Sequence, residues 1–154
     1  DSLFSYYGYF IESMLIYETR IFSPSSYRRM RNPAKIYLVD IGLAHKVGTK
    51  DYGRLLENLV FLELKRKGYE ISYFDENGEC DFIFNDKNGI KVLQVTWEIN
   101  DENREREIRG IINACRTLKV KNGIIITRDQ EYQEKIDGIN LEILPFWKWT
   151  YGIQ

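Results

Sequence analysis

The sequence predicts an α/β sandwich, and three observations carry that prediction. Stretches with apolar residues at helical spacing alternate with short runs rich in β-branched and aromatic residues. The run "GIIITR" (123–128) is apolar almost throughout, as in a strand covered on both faces. The segment before it, "DENREREIRGIINACRTL" (101–118), places Ile108, Ile111, Ile112, Cys115 and Leu118 on one stripe of an amphipathic helix.

Taken in order, residues 2–14 carry Phe4, Tyr7, Phe10, Ile11 and Met14 close to helical spacing. "LIYETRIF" reads as a strand, "SPSSYRRMRNP" as a polar, proline-bounded loop, and "AKIYLVDIGLA" as a second strand with Asp40 near its end. A helix followed by a hairpin with a basic tip resembles the latter part of a winged helix-turn-helix, over residues 1–47. A boundary in "VGTKD" (47–51) opens the main domain, 48–154. "YGRLLENLVFLELKRKG" is a helix with Gly68 at its C-terminal stop. "YEISYF", "CDFIF" and "IKVLQVTW" are strands, the last two antiparallel across a tight turn around Asn88-Gly89. "QEYQEKI" suggests a short helix, and "INLEILPFWKW" a final strand with an aromatic end.

At 154 residues and 44% hydrophobic, the chain suffices for one core and a small appendage. Its net charge of −1, from 22 basic and 23 acidic residues, gives no global attraction to nucleic acid or membrane, so any nucleic-acid surface is local. Cys80 and Cys115 sit in apolar patterns without metal-ligand spacing and read as reduced core residues of a cytoplasmic protein. No apolar run of about 18 residues and no signal-peptide pattern is present, so no membrane association is expected. The absence of an initiator methionine suggests a piece of a longer chain.

"KIYLVDIGLA", "GRLLENLVFLELKRKGYEISYF", "ECDFIF" and "LQVTWEI" together resemble the C-terminal domain of unknown function of bacterial and archaeal AAA-type ATPases. In that family a P-loop ATPase module precedes a winged helix, and a PD-(D/E)XK nuclease-like domain closes the chain. The resemblance implies a restriction-endonuclease-like sandwich, a central mixed sheet flanked by helices, for residues 48–154. It also implies an ATPase module as partner. This sequence has no G-x-x-x-x-G-K-[ST] loop, so that module is not in this chain.

The resemblance places Glu57, Asp81, Gln94 and Thr96 at the positions of the nuclease-like site. Glu57 shares a helix face with Val60, Phe61 and Leu64, where a lone carboxylate must be paired, neutralised or metal-bound; the plainer reading is a rim residue reaching solvent or Arg54. Asp81 matches the principal metal ligand of the motif, against the plainer reading of a backbone cap. Glu79, two residues before it, belongs to the turn. A working site of this type carries a carboxylate and, two residues on, a lysine at positions 94 and 96. Here a neutral amide and a hydroxyl replace them. Lys91 lies at an odd offset and faces away, which leaves Arg104 or Arg106 as sources of positive charge. The expectation is a degenerate site in which Asp81, Gln94 and Glu57 bind Mg²⁺ or Mn²⁺ weakly if at all, with no bound cofactor. Restoring Gln94→Glu with Thr96→Lys is expected to improve metal binding.

Arg28, Arg29 and Arg31, with Tyr27 at the expected hairpin tip, have the make-up of a phosphate-contacting wing, though a solvated charge cluster is the plainer reading. His45, the only histidine, has no ligand partners nearby in sequence. The aromatic end "FWKWTY" packs on the core or docks the ATPase module. Three functions stay open: a catalytically degenerate binding or regulatory module of an ATPase, with nucleic acid or a second copy of the chain as further partners; an active Mg²⁺- or Mn²⁺-dependent endonuclease; and a pure protein-interaction domain.

Overall fold

A computed structural model describes residues 2–46 and 50–152. Helix α1 (Leu3–Glu12) leads into β1 (Ile16–Ile21), the short helix α2 (Ser26–Arg31), β2 (Lys35–Leu38) and α3 (Ile41–Lys46). The long helix α4 (Tyr52–Arg66) precedes three consecutive strands, β3 (Ile71–Asp75), β4 (Glu79–Asp86) and β5 (Gly89–Val95). Helix α5 (Arg104–Thr117), β6 (Asn122–Thr127), β7 (Tyr132–Ile136), β8 (Ile139–Pro145) and α6 (Phe146–Gly152) complete the order. The strands form one mixed eight-stranded sheet, ordered β2-β1-β3-β4-β5-β6-β8-β7. The chain is thus a mixed α/β fold. The expected boundary after Val47 lies outside the described residues. The β1–β2 hairpin joins the main sheet through parallel pairing of β1 with β3.

Helices cover both faces of the sheet. On one, Leu56, Val60, Phe61 and Leu64 of α4 meet Tyr37, Phe82, Phe84, Leu93 and Val95. Fully burying a residue such as Phe61 contributes roughly 1.5–3 kcal/mol. On the other, Ile111, Ile112 and Cys115 of α5 pack on Cys80, Ile83, Val92 and Ile125. The parallel pairing of β5 with β6 across α5 makes a β-α-β unit, which explains why β6 is apolar on both faces. Among the described residues, no helix is long and apolar enough to cross a membrane.

Several elements differ from expectation, each for a local reason. The polar segment 23–33 contains α2, whose N-cap Ser25 accepts a hydrogen bond from the Arg28 amide at 3.3 Å, so the arginines lie on a helical turn. The strand expected through Ala44 stops at Leu38, because Asp40 accepts from the Leu43 amide at 2.9 Å and starts α3. "QEYQEKI" contributes β7, not a helix: it pairs antiparallel with β8 around Asp137-Gly138, both at positive φ as a two-residue hairpin turn requires. The last strand ends at Pro145, and the aromatic end is α6, with Trp149 buried and Trp147 and Tyr151 exposed. Cys80 lies in the α5-side cluster while Phe82 and Phe84 lie in the α4-side cluster, so the three do not share a face as simple alternation predicts. The cause is a bulge: between the pairs Ser72↔Ile83 and Phe74↔Cys80, Asp81 and Phe82 stand opposite Tyr73 alone.

Candidate functional site

The bulge falls where two strands part. β4 and β5 pair regularly from Asp86↔Gly89 to Phe82↔Leu93, and beyond Leu93 the strand β5 follows β6. Side chains take over at the fork. The Asp81 amide donates to Gln94 Oε1 at 3.1 Å, and the Val95 amide donates to Asp81 Oδ2 at 2.9 Å. Asp81 and Gln94 therefore meet, both buried, and line a cleft of about 300 Å³ that Glu57 and Thr96 also line. The sequence-predicted four are brought together. Thr96, however, turns its hydroxyl to the Glu98 carbonyl at 3.1 Å.

Three groups that sequence reasoning did not single out complete the cluster. Lys35, from β2, reaches Asp81 Oδ1 at 2.8 Å and Glu57 Oε1 at 3.1 Å, and forms an ion pair with Glu79. Tyr37, two residues along the same strand, donates its hydroxyl to Glu57 Oε1 at 2.7 Å. Glu107, on α5, is only 3% exposed; it accepts from Gln94 Nε2 at 2.6 Å and from the Arg106 guanidinium at 2.6 and 3.1 Å. Of the two arginines expected as stand-ins, Arg106 borders the cleft, whereas Arg104 is tied to Glu134 at 2.6 and 3.2 Å.

One signal was available for Glu107, which lies four residues before Ile111 on the buried stripe, the placement that marked Glu57. For Lys35 the signal was weaker, since period two puts it on the face of Tyr37 but names no partner.

Electrostatics follow from this crowding. Burial first, then the Glu57 charge, raises the Asp81 pKa above the usual carboxylate range, while Lys35 and the Val95 N–H hold it back. Burial alone would lower the Lys35 pKa, but the facing carboxylates of Asp81, Glu57 and Glu79 outweigh it and the net shift is upward. An isolated Lys–Asp pair would lower its acid; here desolvation and a second carboxylate reverse the sign for Asp81. Tyr37 is likewise raised by burial and by Glu57.

A divalent cation fits this donor set poorly. Both Asp81 oxygens are hydrogen-bonded, Glu57 Oε1 accepts twice, and Gln94 uses both ends of its amide. Mg²⁺ needs oxygen ligands in near-octahedral geometry, and an ammonium stands among the oxygens that would supply them. Among the described residues, no group of three or more His, Cys, Asp or Glu side chains is arranged to hold a metal ion.

None of the three arginines of the basic segment lines the cleft. Arg28 pairs with Glu76 and donates to the Asp75 carbonyl at 3.1 Å; Arg29 donates to the Ser23 carbonyl; Arg31 donates to the Tyr27 hydroxyl at 3.0 Å.

Two relatives share most of this chain. An uncharacterized protein of Methanocaldococcus jannaschii is 35% identical over 162 aligned residues, which cover 97% of this chain and 36% of that protein. An uncharacterized protein of Haemophilus influenzae is 30% identical over 139 aligned residues, which cover 88% of this chain and 34% of that protein. The chain thus spans about a third of the length of these relatives. With residues 52–149 matching it, from the start of α4 into α6, the chain belongs to the family described as Domain of unknown function (DUF4143).

Proposed function

We propose that this chain is a nuclease-like module of a longer AAA-type ATPase chain, that its PD-(D/E)XK-type site has lost hydrolytic chemistry, and that it serves as a binding and regulatory module in the cytoplasm. The observation that carries this reading is the occupation of the site by its own side chains: Lys35 stands among Glu57, Glu79 and Asp81, and Gln94 is committed to Glu107. A hydrolytic site of this class needs an open metal position and a cation aimed at the phosphate. Helices on both faces of a mixed sheet support the restriction-endonuclease-like sandwich. The length of the relatives, about three times the matched region, leaves room for an ATPase module.

The endonuclease alternative draws on one specific observation, that Lys35 and Glu107 supply from other elements a lysine and a carboxylate where positions 96 and 94 lack them. Incubation with plasmid and with single-stranded oligonucleotides in Mg²⁺ and in Mn²⁺ separates the readings. No cleavage above background is expected. Cleavage that disappears in Asp81→Ala would establish the enzyme.

A further inference from the structure

Glu57 comes from helix α4, and Glu79 and Asp81, two residues apart, come from the start of β4 and from its bulge. Their carboxylates nevertheless converge on one nitrogen. An ammonium has three N–H donors and no acceptor, and here each carboxylate takes part in an ion pair with it. The donor count matches the acceptor count. The lysine is also held in place from its own strand. Tyr37 stacks on Phe61 with ring centroids 4.2 Å apart and planes 9° apart. Asn58 of α4 accepts from the Leu38 amide at 2.8 Å and donates to the Leu38 carbonyl at 2.9 Å, as a neighbouring strand would. The backbone of β2 is thereby fixed at Leu38, its pairing with β1 sets Lys35 opposite Thr19, and the Lys35 side chain, 20% exposed, reaches inward from a set position.

We infer that the Lys35 ammonium takes the place of a divalent cation in this cluster: it is the resident counter-ion of Glu57, Glu79 and Asp81, and these carboxylates accept a metal only when it is removed. The inference rests on the reading of Asp81 and Glu57 as nuclease-like site positions, and it adds the identity of the ion. As placed around Lys35 the three carboxylates are not arranged to hold a metal ion; without it they lose the ammonium that all three face and can close on a hard cation. With Lys35, an ion at Asp81 would lie in direct contact range of a fixed positive charge.

The test compares Mn²⁺ binding, by calorimetry and by the electron paramagnetic resonance signal of free Mn²⁺, in the wild-type protein, in Asp81→Asn, in Lys35→Met and in Lys35→Met/Asp81→Asn. The wild type is expected to show no saturable binding at millimolar Mn²⁺. Lys35→Met should bind one ion at least about tenfold more tightly than wild type, because a like charge in contact with the ion is gone, and the double variant should lose that binding. Saturable wild-type binding that Asp81→Asn abolishes would overturn the inference, as would a folded Lys35→Met that binds no better than wild type. If Lys35→Met is unfolded in metal-free buffer, its circular dichroism is followed as Mn²⁺ is added: refolding supports the inference and its absence at millimolar Mn²⁺ refutes it. These readouts concern binding alone. A folded Lys35→Met that binds no better than wild type leaves the non-hydrolytic reading standing, whereas DNA cleavage by the wild type removes that reading.

Discussion

Gly110 sets how closely α5 can approach the strand that carries Asp81, and replacing it tests that approach. A Cβ built on Gly110 would lie 2.0 Å from the Glu79 carbonyl oxygen and 3.0 Å from its carbon. An ordinary contact begins at 3.4 Å, so the helix and the strand must separate by more than an ångström. Both partners are backbone, and no flexible side chain can give way. Gly110→Ala should therefore fall at or beyond the upper end of overpacking changes, about 3 kcal/mol of lost stability. The helix-propensity gain of alanine over glycine, about 1 kcal/mol, only partly offsets this. Gly8, in α1, has nothing within 4 Å of its built Cβ, so Gly8→Ala is the control and should be neutral or slightly stabilising. Urea denaturation followed by circular dichroism measures both. A loss below about 1 kcal/mol for Gly110→Ala would refute the close approach, and with it the placement of Glu107, three residues earlier on α5, against Gln94.

Two further outcomes follow from the same packing. Asn58→Ala leaves the Leu38 amide and carbonyl without their partners on the side facing α4, and should lower stability by about 2–4 kcal/mol in thermal or urea unfolding; an unchanged unfolding midpoint would deny the clamp on β2. The Asp81 carboxyl, pushed up to about 7 in the folded chain from an ordinary 3.8, binds its proton more tightly when folded. Its contribution to stability is thus complete below about pH 4 and lost as pH rises through about 7, at no more than about 1.4 kcal/mol per pH unit. Asp81→Asn cannot ionise, so its stability relative to wild type should improve across that window. A pH-independent difference would show that Asp81 titrates normally.

Much of the fold was legible because periodicity is a local property. α4, α5 and the strands β3 to β6 follow from the spacing of apolar residues, since each buries one stripe or one face. The errors share a different cause. At Ser25 and Asp40 a short side chain starts a helix by accepting one amide hydrogen, a signal one residue wide that the hydrophobic pattern does not register. At Asp137-Gly138 the turn dipeptide was present in the sequence, yet the polar residues before it hid a strand whose outer edge is solvated. The bulge at Asp81-Phe82 left no mark in the sequence, because it arises from the pairing of β4 with its neighbour.

The candidate site was legible only where its residues lie on consecutive strands. Asp81 and Gln94 follow from a hairpin and a period of two; Lys35 and Glu107 reach them through the tertiary arrangement of β2 and α5. That difference changes what Gln94 means. Read along the chain, glutamine is a carboxylate lost, and Gln94→Glu looks like a repair. In the folded protein the Gln94 amide donates to the buried Glu107 carboxylate at 2.6 Å, and its oxygen accepts from the Asp81 amide. A glutamate there keeps the acceptor but sets two carboxylates at hydrogen-bond distance in a buried space, so one of them must hold a proton or the pair must part. Thr96→Lys would bring a second ammonium toward a cluster that already contains Lys35. On the proposed nuclease-like reading, the charges absent from positions 94 and 96 stand in the cluster on Lys35 and Glu107, and substitution at 94 and 96 duplicates them rather than restoring them.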